Sequence, residues 1–188
     1  MTTDRRVRRS KKVIENTMIK LLKTQRINQI TVKKLCEISD VNRGTFYHHY
    51  LDIYDLINQI ENQLIAELKQ RLAKYSPDQI NHDALPLFKE IVQFIDEKAN
   101  TVMVLFKGKE GDLFLKKIVN LVKTIASQNW GKLYHRLNSQ NYDYFLEYAI
   151  FGCLGIINRW LHEGRKEPPN DLAKLLEEMV IHGVKTNS

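Results

Sequence analysis

The residues that most constrain this chain are 30–50, ITVKKLCEISDVNRGTFYHHY, which predict two short helices joined by a tight turn. Thr31, Asn42 and Asp52 are all of types preferred at a helix N-cap. Each has an apolar residue before it and another at the fourth helical position, a pairing that fixes how a chain enters a helix. Three helices are therefore expected to begin at 31, 42 and 52, and the middle one is too short to be stable without neighbours.

The middle helix, about 43–50, has two different faces. Phe46 and Tyr50 are four residues apart and are predicted to pack inward. Gly44 costs about 1 kcal/mol relative to Ala in a helix, and its bare backbone would permit close approach to a phosphate strand. The outward side chains are polar, aromatic and cationic, namely Arg43, Thr45, Tyr47, His48 and His49. This face predicts a binding surface.

The basic charge is concentrated in the first quarter of the chain. Residues 1–50 hold twelve Lys or Arg against four Asp or Glu, whereas the rest of the chain has a formal charge of −1. Phosphate neutralisation dominates affinity for nucleic acid, so a basic head on a neutral body predicts DNA binding. The arginines and lysines of residues 5–12 form either an arm, along phosphates or in a minor groove of DNA, or a solvated and disordered tail.

The apolar periodicity predicts an all-α protein of about nine helices, with the first helix beginning near Ser10 and no strand. Cys36 and Cys153 are expected to be buried thiols. No apolar run reaches about 18 residues and no signal peptide is evident, so we expect a cytoplasmic protein without membrane contact. We find no paired carboxylates or activated nucleophile, and we expect neither enzyme activity nor a cofactor. Adjacent residues such as His48 and His49 point about 100° apart on a helix, so no metal site is expected.

Residues 9–68, above all IxQITVKKLCEISDVNRGTFYHHYLDIYDL, resemble the TetR family of bacterial transcriptional regulators. Residues 151–180 resemble the C-terminal region of a group of such regulators that is common in Gram-positive bacteria; their sequence is FGCLGIINRWLHEGRKEPPNDLAKLLEEMV. The resemblance implies a helix-turn-helix head at 1–68 and a helical effector-binding and dimerisation body at 69–188. It also implies DNA contacts from Thr31 and Lys33 and from Arg43, Gly44, Thr45, Tyr47 and His49. The family usually has a phosphate-binding Lys where this chain has Ile53.

As a whole, the resemblance implies a homodimer that binds a palindromic operator, usually as a repressor, and that has a pocket for a small molecule.

Gly152 and Gly155 are costly inside a helix unless they allow close packing. The expected dimer interface is Phe151, Gly152, Leu154, Gly155, Ile157, Trp160, Leu161, Leu172, Leu175, Leu176 and Met179. The residues that could line a pocket for an apolar or aromatic effector, or form an ordinary core, are Phe88, Phe94, Met103, Phe106, Phe114, Trp130, Tyr134 and Tyr148.

Two other hypotheses remain open from the sequence. The body could dock a protein partner or coactivator instead of a small ligand. Alternatively, the basic head could bind polyanions without any sequence preference. A selective operator, together with a small molecule that changes the affinity for DNA, would favour a ligand-responsive regulator over both of these alternatives.

Overall fold

The computed structural model describes residues 2–106, 111–129 and 139–182, and within these ranges it contains ten α-helices, one 3-10 turn at Ile27–Gln29 and no strand. The helices are α1 (Thr2–Leu22), α2 (Val32–Ser39), α3 (Arg43–His49), α4 (Ile53–Leu72), α5 (Pro77–His82), α6 (Leu85–Glu97), α7 (Ala99–Leu105), α8 (Gly111–Asn129), α9 (Ser139–His162) and α10 (Pro169–His182). The predicted all-α class is confirmed.

The helices form two compact units, which divide between Leu64 and Ile65 inside α4. In the first unit, α1 packs against α2 and α3. Its core consists of side chains with almost no solvent contact, namely Ile14, Met18, Leu35, Phe46, Tyr50 and Leu56. The short α3 is therefore stabilised by tertiary packing, as its length requires.

In the second unit, α10 packs along α6, and α9 contacts α7 and α8. Arg71 joins the end of α4 to α6, since its Nη2 lies 3.2 Å from Glu67 Oε1 and 2.6 Å from Glu97 Oε2. Its guanidinium also lies over the ring of Phe94, 5.0 Å from the centroid. The hydrogen bond to Glu97 raises the pKa of Arg71. This cluster fixes the end of α4 to α6 within the unit.

One helix boundary differs from the sequence prediction, and one helix is additional to it. α1 begins at Thr2 and not near Ser10, because the intervening stretch has no Pro or Gly and is rich in Arg, a good helix former. The additional helix is α5, which begins where Ser76, Pro77 and Asp78 interrupt the apolar pattern. There the Ser76 hydroxyl accepts the Gln79 N–H and Gln79 Oε1 accepts the Ser76 N–H. This is a capping box with Pro at the first helical position.

Candidate nucleic-acid interface

The connection between α2 and α3 is fixed by local hydrogen bonds at both helix starts. The Thr31 hydroxyl accepts the Lys34 N–H at 3.2 Å, and Asn42 Oδ1 accepts the Gly44 N–H at 2.8 Å. Between the helices, Asp40 has a left-handed backbone with φ of 52°, and the Val41 N–H reaches Cys36 O at 3.1 Å. Both predicted caps are confirmed, and the turn at Asp40 together with the Asn42 cap fixes how α3 follows α2.

The face of α3 that points away from the core carries the predicted binding residues. Arg43, Gly44 and His48 are exposed, and Thr45 is half-buried. Tyr47 is 53% exposed even though it follows the fully buried Phe46. The Tyr47 ring packs edge-on against Phe46, with centroids 5.4 Å apart, so one side of the ring is supported by the core residue.

His49 does not point outward as predicted. It lies about 60° around the helix from the buried Phe46, so its ring is half-buried. Its Nε2 is enclosed and has no hydrogen-bond partner among the described residues. Burial lowers the pKa of His49, and the nearby His48 and Lys11 lower it further. The ring is therefore neutral at pH 7 and is not available on the exposed face as a cation.

The presence of a glycine at position 44 also has a structural explanation, which the sequence alone does not indicate. A Cβ at this position would lie 3.3 Å from Asn42 Oδ1, the oxygen that caps α3. That distance is tighter than ordinary van der Waals contact, so the glycine leaves room for the cap. The absence of a side chain also leaves the start of α3 open to solvent.

Thr31 and Lys33, at the start of α2, are exposed. The Thr31 hydroxyl uses a lone pair for its cap, so its proton remains able to donate. The Lys33 ammonium lies 4.0 Å from Glu37 Oε1, and both side chains are mostly exposed. Such a pair is weak, so Lys33 can turn toward another anion at small cost.

The start of α4 lacks the side-chain cation that the family resemblance implies. Ile53 is buried, whereas the next residue, Tyr54, is exposed. Asp52 Oδ1 accepts the Asp55 N–H at 2.8 Å, which confirms the third predicted cap. The Asp55 carboxylate reaches back past the cap residue, where its Oδ2 accepts the Leu51 N–H at 2.9 Å.

The predicted dimer residues separate into two groups. On α9, the exposed set is Phe151, Gly152 and Gly155, in one stripe with Tyr144 and Tyr148. A Cβ added at either glycine would meet nothing within 4 Å. Leu154 is half-buried, and Leu175 and Met179 on α10 are exposed. By contrast, Ile157, Trp160, Leu161, Leu172 and Leu176 are buried within the unit and cannot form its outer surface.

The predicted pocket residues differ in how far they are buried. Phe88, Phe94 and Phe114 are buried, and Met103 and Phe106 are half-buried. Phe106 and Phe114 pack edge-to-face with centroids 5.4 Å apart. Trp130 and Tyr134 lie outside the described residues. Tyr148 is 69% exposed on the outer face of α9, so its assignment to an internal pocket is wrong.

Two absences apply to the part of the chain that the structure describes. No group of three or more His, Cys, Asp or Glu is arranged to hold a metal ion there. Among those same residues, no helix combines the length and apolar character needed to cross a membrane.

A prediction follows from the cap of α3. Asn42→Ala removes the oxygen that accepts the Gly44 N–H, so the free energy of unfolding should fall by about 1 kcal/mol. For a chain of this size this corresponds to a melting temperature lower by roughly 2–4 °C. Ser76→Ala removes the equivalent cap from α5 and is the matched control. Circular dichroism melts measure both, and an unchanged melt for Asn42→Ala would contradict the cap assignment.

A capped three-helix core that presents one short helix to solvent defines a helix-turn-helix protein. Residues 82–182 match the TetR family model described as "Transcriptional regulator C-terminal region". That match covers more than half of the chain. The chain belongs to the TetR family of transcriptional regulators.

Known proteins resemble the chain in sequence or in fold. The HTH-type transcriptional regulator YxbF of Bacillus subtilis is 24% identical in an alignment of 174 residues that covers 89% of this chain and 43% of that protein. The chain thus spans less than half of this relative's length.

Two solved structures share the fold. The TetR transcriptional regulator from Streptococcus agalactiae has a TM-score of 0.65 and 20% identity, covering 96% of this chain and 98% of that one. FadR from Bacillus subtilis, in complex with stearoyl-CoA, has a TM-score of 0.66 and 14% identity, covering 92% and 98%.

Proposed function

We propose that this regulator binds a palindromic operator as a homodimer, reads its sequence with α3, and represses transcription until an apolar or aromatic small molecule binds the body. The observation that carries the proposal is the exposed face of α3, where Arg43, Thr45 and Tyr47 project from a helix that is capped and buried on its other side. An α-helix of this kind fits the major groove of B-DNA.

The side chains on this face suit different parts of a DNA duplex. Arg43 can donate a bidentate pair of hydrogen bonds to guanine. Hydroxyls such as those of Thr45 and Tyr47 can donate to phosphate oxygens, which positions the helix without specifying bases. Thr31 and Lys33 lie at the start of α2 and would contact the DNA backbone beside the groove that α3 enters. This division predicts a specific contact from Arg43 and positioning contacts from the other four residues.

The outer stripe of α9 supports a homodimer. Tyr144, Tyr148 and Phe151 are large and mostly exposed, which is unusual for a contiguous surface of a monomer. Gly152 and Gly155 lie on the same stripe with open space above them, so a second helix could approach closely. Leu175 and Met179 on α10 add apolar surface to the proposed interface. The buried residues beneath, including Ile157 and Trp160, would support this surface from within the unit.

An apolar effector is supported by the aromatic content of the second unit. Phe88, Phe106 and Phe114 come from three segments of this unit and contribute buried or half-buried rings. FadR, which has the same fold, holds stearoyl-CoA. Stearoyl-CoA is therefore the first compound to test. It should release the protein from its operator and raise the melting temperature with concentration.

The experiment that tests the DNA proposal is selection of bound sequences from random duplexes by the full chain. We expect a palindrome whose half-sites are about one helical turn, or a multiple of it, apart. Log affinity should also fall steeply with log salt concentration. Recovery of random sequences would contradict the proposal and favour a general polyanion binder. A stoichiometric protein partner, without any small molecule that changes operator affinity, would favour a protein-docking body.

A further inference from the structure

The C-terminal end of α3 is fixed by a side chain from α4. A helix leaves its last carbonyls without donors from its own backbone, and α3 is only seven residues long. The carbonyl of His49, the last residue of α3, accepts a hydrogen bond from Gln59 Nε2 at 3.2 Å. This bond runs directly from the middle of α4 to the backbone of the proposed recognition helix.

The same glutamine also contacts α1 and, through Asp55, the turn that precedes α4. Its Nε2 also donates to Asp55 Oδ2 at 3.0 Å, and that oxygen accepts the Leu51 N–H at 2.9 Å. Lys11 Nζ, on α1, donates to Gln59 Oε1 at 3.5 Å. One amide group thus connects α1, the end of α3 and the turn that leads into α4.

Tyr50 provides the neighbouring anchor. Its ring is 1% exposed, and its hydroxyl donates to Glu15 Oε1 at 3.1 Å. Burial, and then the Glu15 carboxylate, raise the pKa of Tyr50, so the phenol keeps its proton as a donor. This anchor fixes the depth of one point at the end of α3. The bond from Gln59 to the preceding carbonyl holds the same end of α3 from α4. Because the Asn42 cap fixes the start of α3, the position of this end sets the direction of the helix axis.

Leu51, which lies between the Tyr50 anchor and the Asp52 cap, is held through its backbone. The Leu51 side chain is 81% exposed, so no apolar contact fixes this residue. Its backbone is held through the Asp55 oxygen that Gln59 also contacts. We infer that Gln59 is a positioning residue for DNA reading: it sets the direction of α3 without itself touching DNA. This inference rests on the proposed function of α3.

An isosteric substitution isolates this role. In Gln59→Glu the side chain keeps its size, and the oxygen that receives Lys11 is retained. The donor nitrogen is replaced by a second oxygen that would face two acceptors, the His49 carbonyl and Asp55 Oδ2. The bond to α3 is lost and repulsion takes its place, so the end of α3 should shift away from α4.

The matched control makes the same change three helical turns further along α4. Gln70 is exposed, and none of the hydrogen bonds described for the end of α3 involves it. Gln70→Glu therefore adds the same charge to α4 without disturbing the Tyr50 anchor or the bond from Gln59. Gln59→Met is the second variant, since it keeps an unbranched side chain of similar length, removes every hydrogen bond and adds no charge.

The experiment measures the affinity of the full chain for the duplex selected by the wild-type protein and for a random duplex, together with the melting temperature. For Gln59→Glu, operator affinity should fall by about tenfold or more, because a charged acceptor replaces a donor in each subunit. Affinity for random DNA should stay within about threefold, since the phosphate contacts persist. Gln59→Met should show the same loss of preference to a smaller degree, and Gln70→Glu should keep the wild-type preference.

Two results would overturn the inference. If Gln59→Glu and Gln59→Met keep the wild-type ratio of operator to random affinity, Gln59 does not position α3. If their two affinities fall by the same factor and in step with a lower melting temperature, the residue only stabilises the fold. If the wild-type protein itself shows no sequence preference, the proposed function fails, and this inference fails with it.

Discussion

Tyr47→Ala should weaken operator binding by about thirtyfold, because each of two subunits would lose a contact of about 1 kcal/mol. The side chain is 53% exposed and stands on the buried Phe46, so its removal leaves no cavity in the core. The free energy of unfolding should therefore change by less than about 0.5 kcal/mol. Fluorescence anisotropy with the selected duplex measures the affinity.

Tyr47→Phe separates the hydroxyl from the ring. If the hydroxyl donates to a phosphate, Tyr47→Phe should lose most of the affinity that Tyr47→Ala loses. If the ring packs against sugar or a thymine methyl group, Tyr47→Phe should bind almost like the wild type. Undiminished operator binding by Tyr47→Ala would contradict the assignment of α3 as the recognition helix.

Phe151→Glu should separate the proposed dimer into monomers. The substitution places one carboxylate from each subunit in an apolar interface, where an unpaired charge is strongly unfavourable. The dimer dissociation constant should rise by at least about a hundredfold, a change of about 2.7 kcal/mol. Operator affinity should fall with it, because each head would then bind its half-site alone. Analytical ultracentrifugation over a concentration series measures the dissociation constant.

Leu113→Glu is the matched control for this prediction. Leu113 on α8 is also a large exposed apolar residue, but it lies outside the stripe on α9. The control should remain dimeric at concentrations where Phe151→Glu is monomeric. A dimeric Phe151→Glu protein would exclude the α9 stripe as the centre of the interface.

The two glycines on α9 give an independent test of the same interface. A Cβ at Gly152 or Gly155 meets nothing within the subunit, so alanine should stabilise an isolated subunit by up to about 1 kcal/mol per site. If a partner helix packs against them, the same methyl groups would instead clash and weaken the dimer. The doubly substituted protein should thus dissociate more readily while its monomer melts at a higher temperature.

The start of each helix in the head could be predicted from the sequence because caps are local. Thr31, Asn42 and Asp52 each bond an amide within three residues, so residue type and spacing were sufficient. The inward packing of Phe46 and Tyr50 also followed from their spacing of four. The true length of α1 was missed, because residues 2–9 carry no apolar stripe to indicate a helix.

What the sequence could not predict depends on tertiary packing. On α9 the apolar residues occur on nearly every side, so periodicity alone could not tell which side the subunit buries. The structure places Trp160 and Ile157 inside and Tyr148 and Phe151 outside. The spacing within α3 predicts His49 on the outer face, because the burial of its ring depends on residues outside that helix. The Gln59 bond to the His49 carbonyl was missed for the same reason, since it joins residues on different helices.

The most direct test of the central claim, that α3 reads DNA as one half of a symmetric pair, is parallel selection of random duplexes by the wild-type chain and by Arg43→Ala. We predict that both proteins select the same palindrome. With Arg43→Ala, the preference should relax at one position in each half-site, by about 1–3 kcal/mol per position. An identical preference at every position, or a site without two-fold symmetry, would contradict the account.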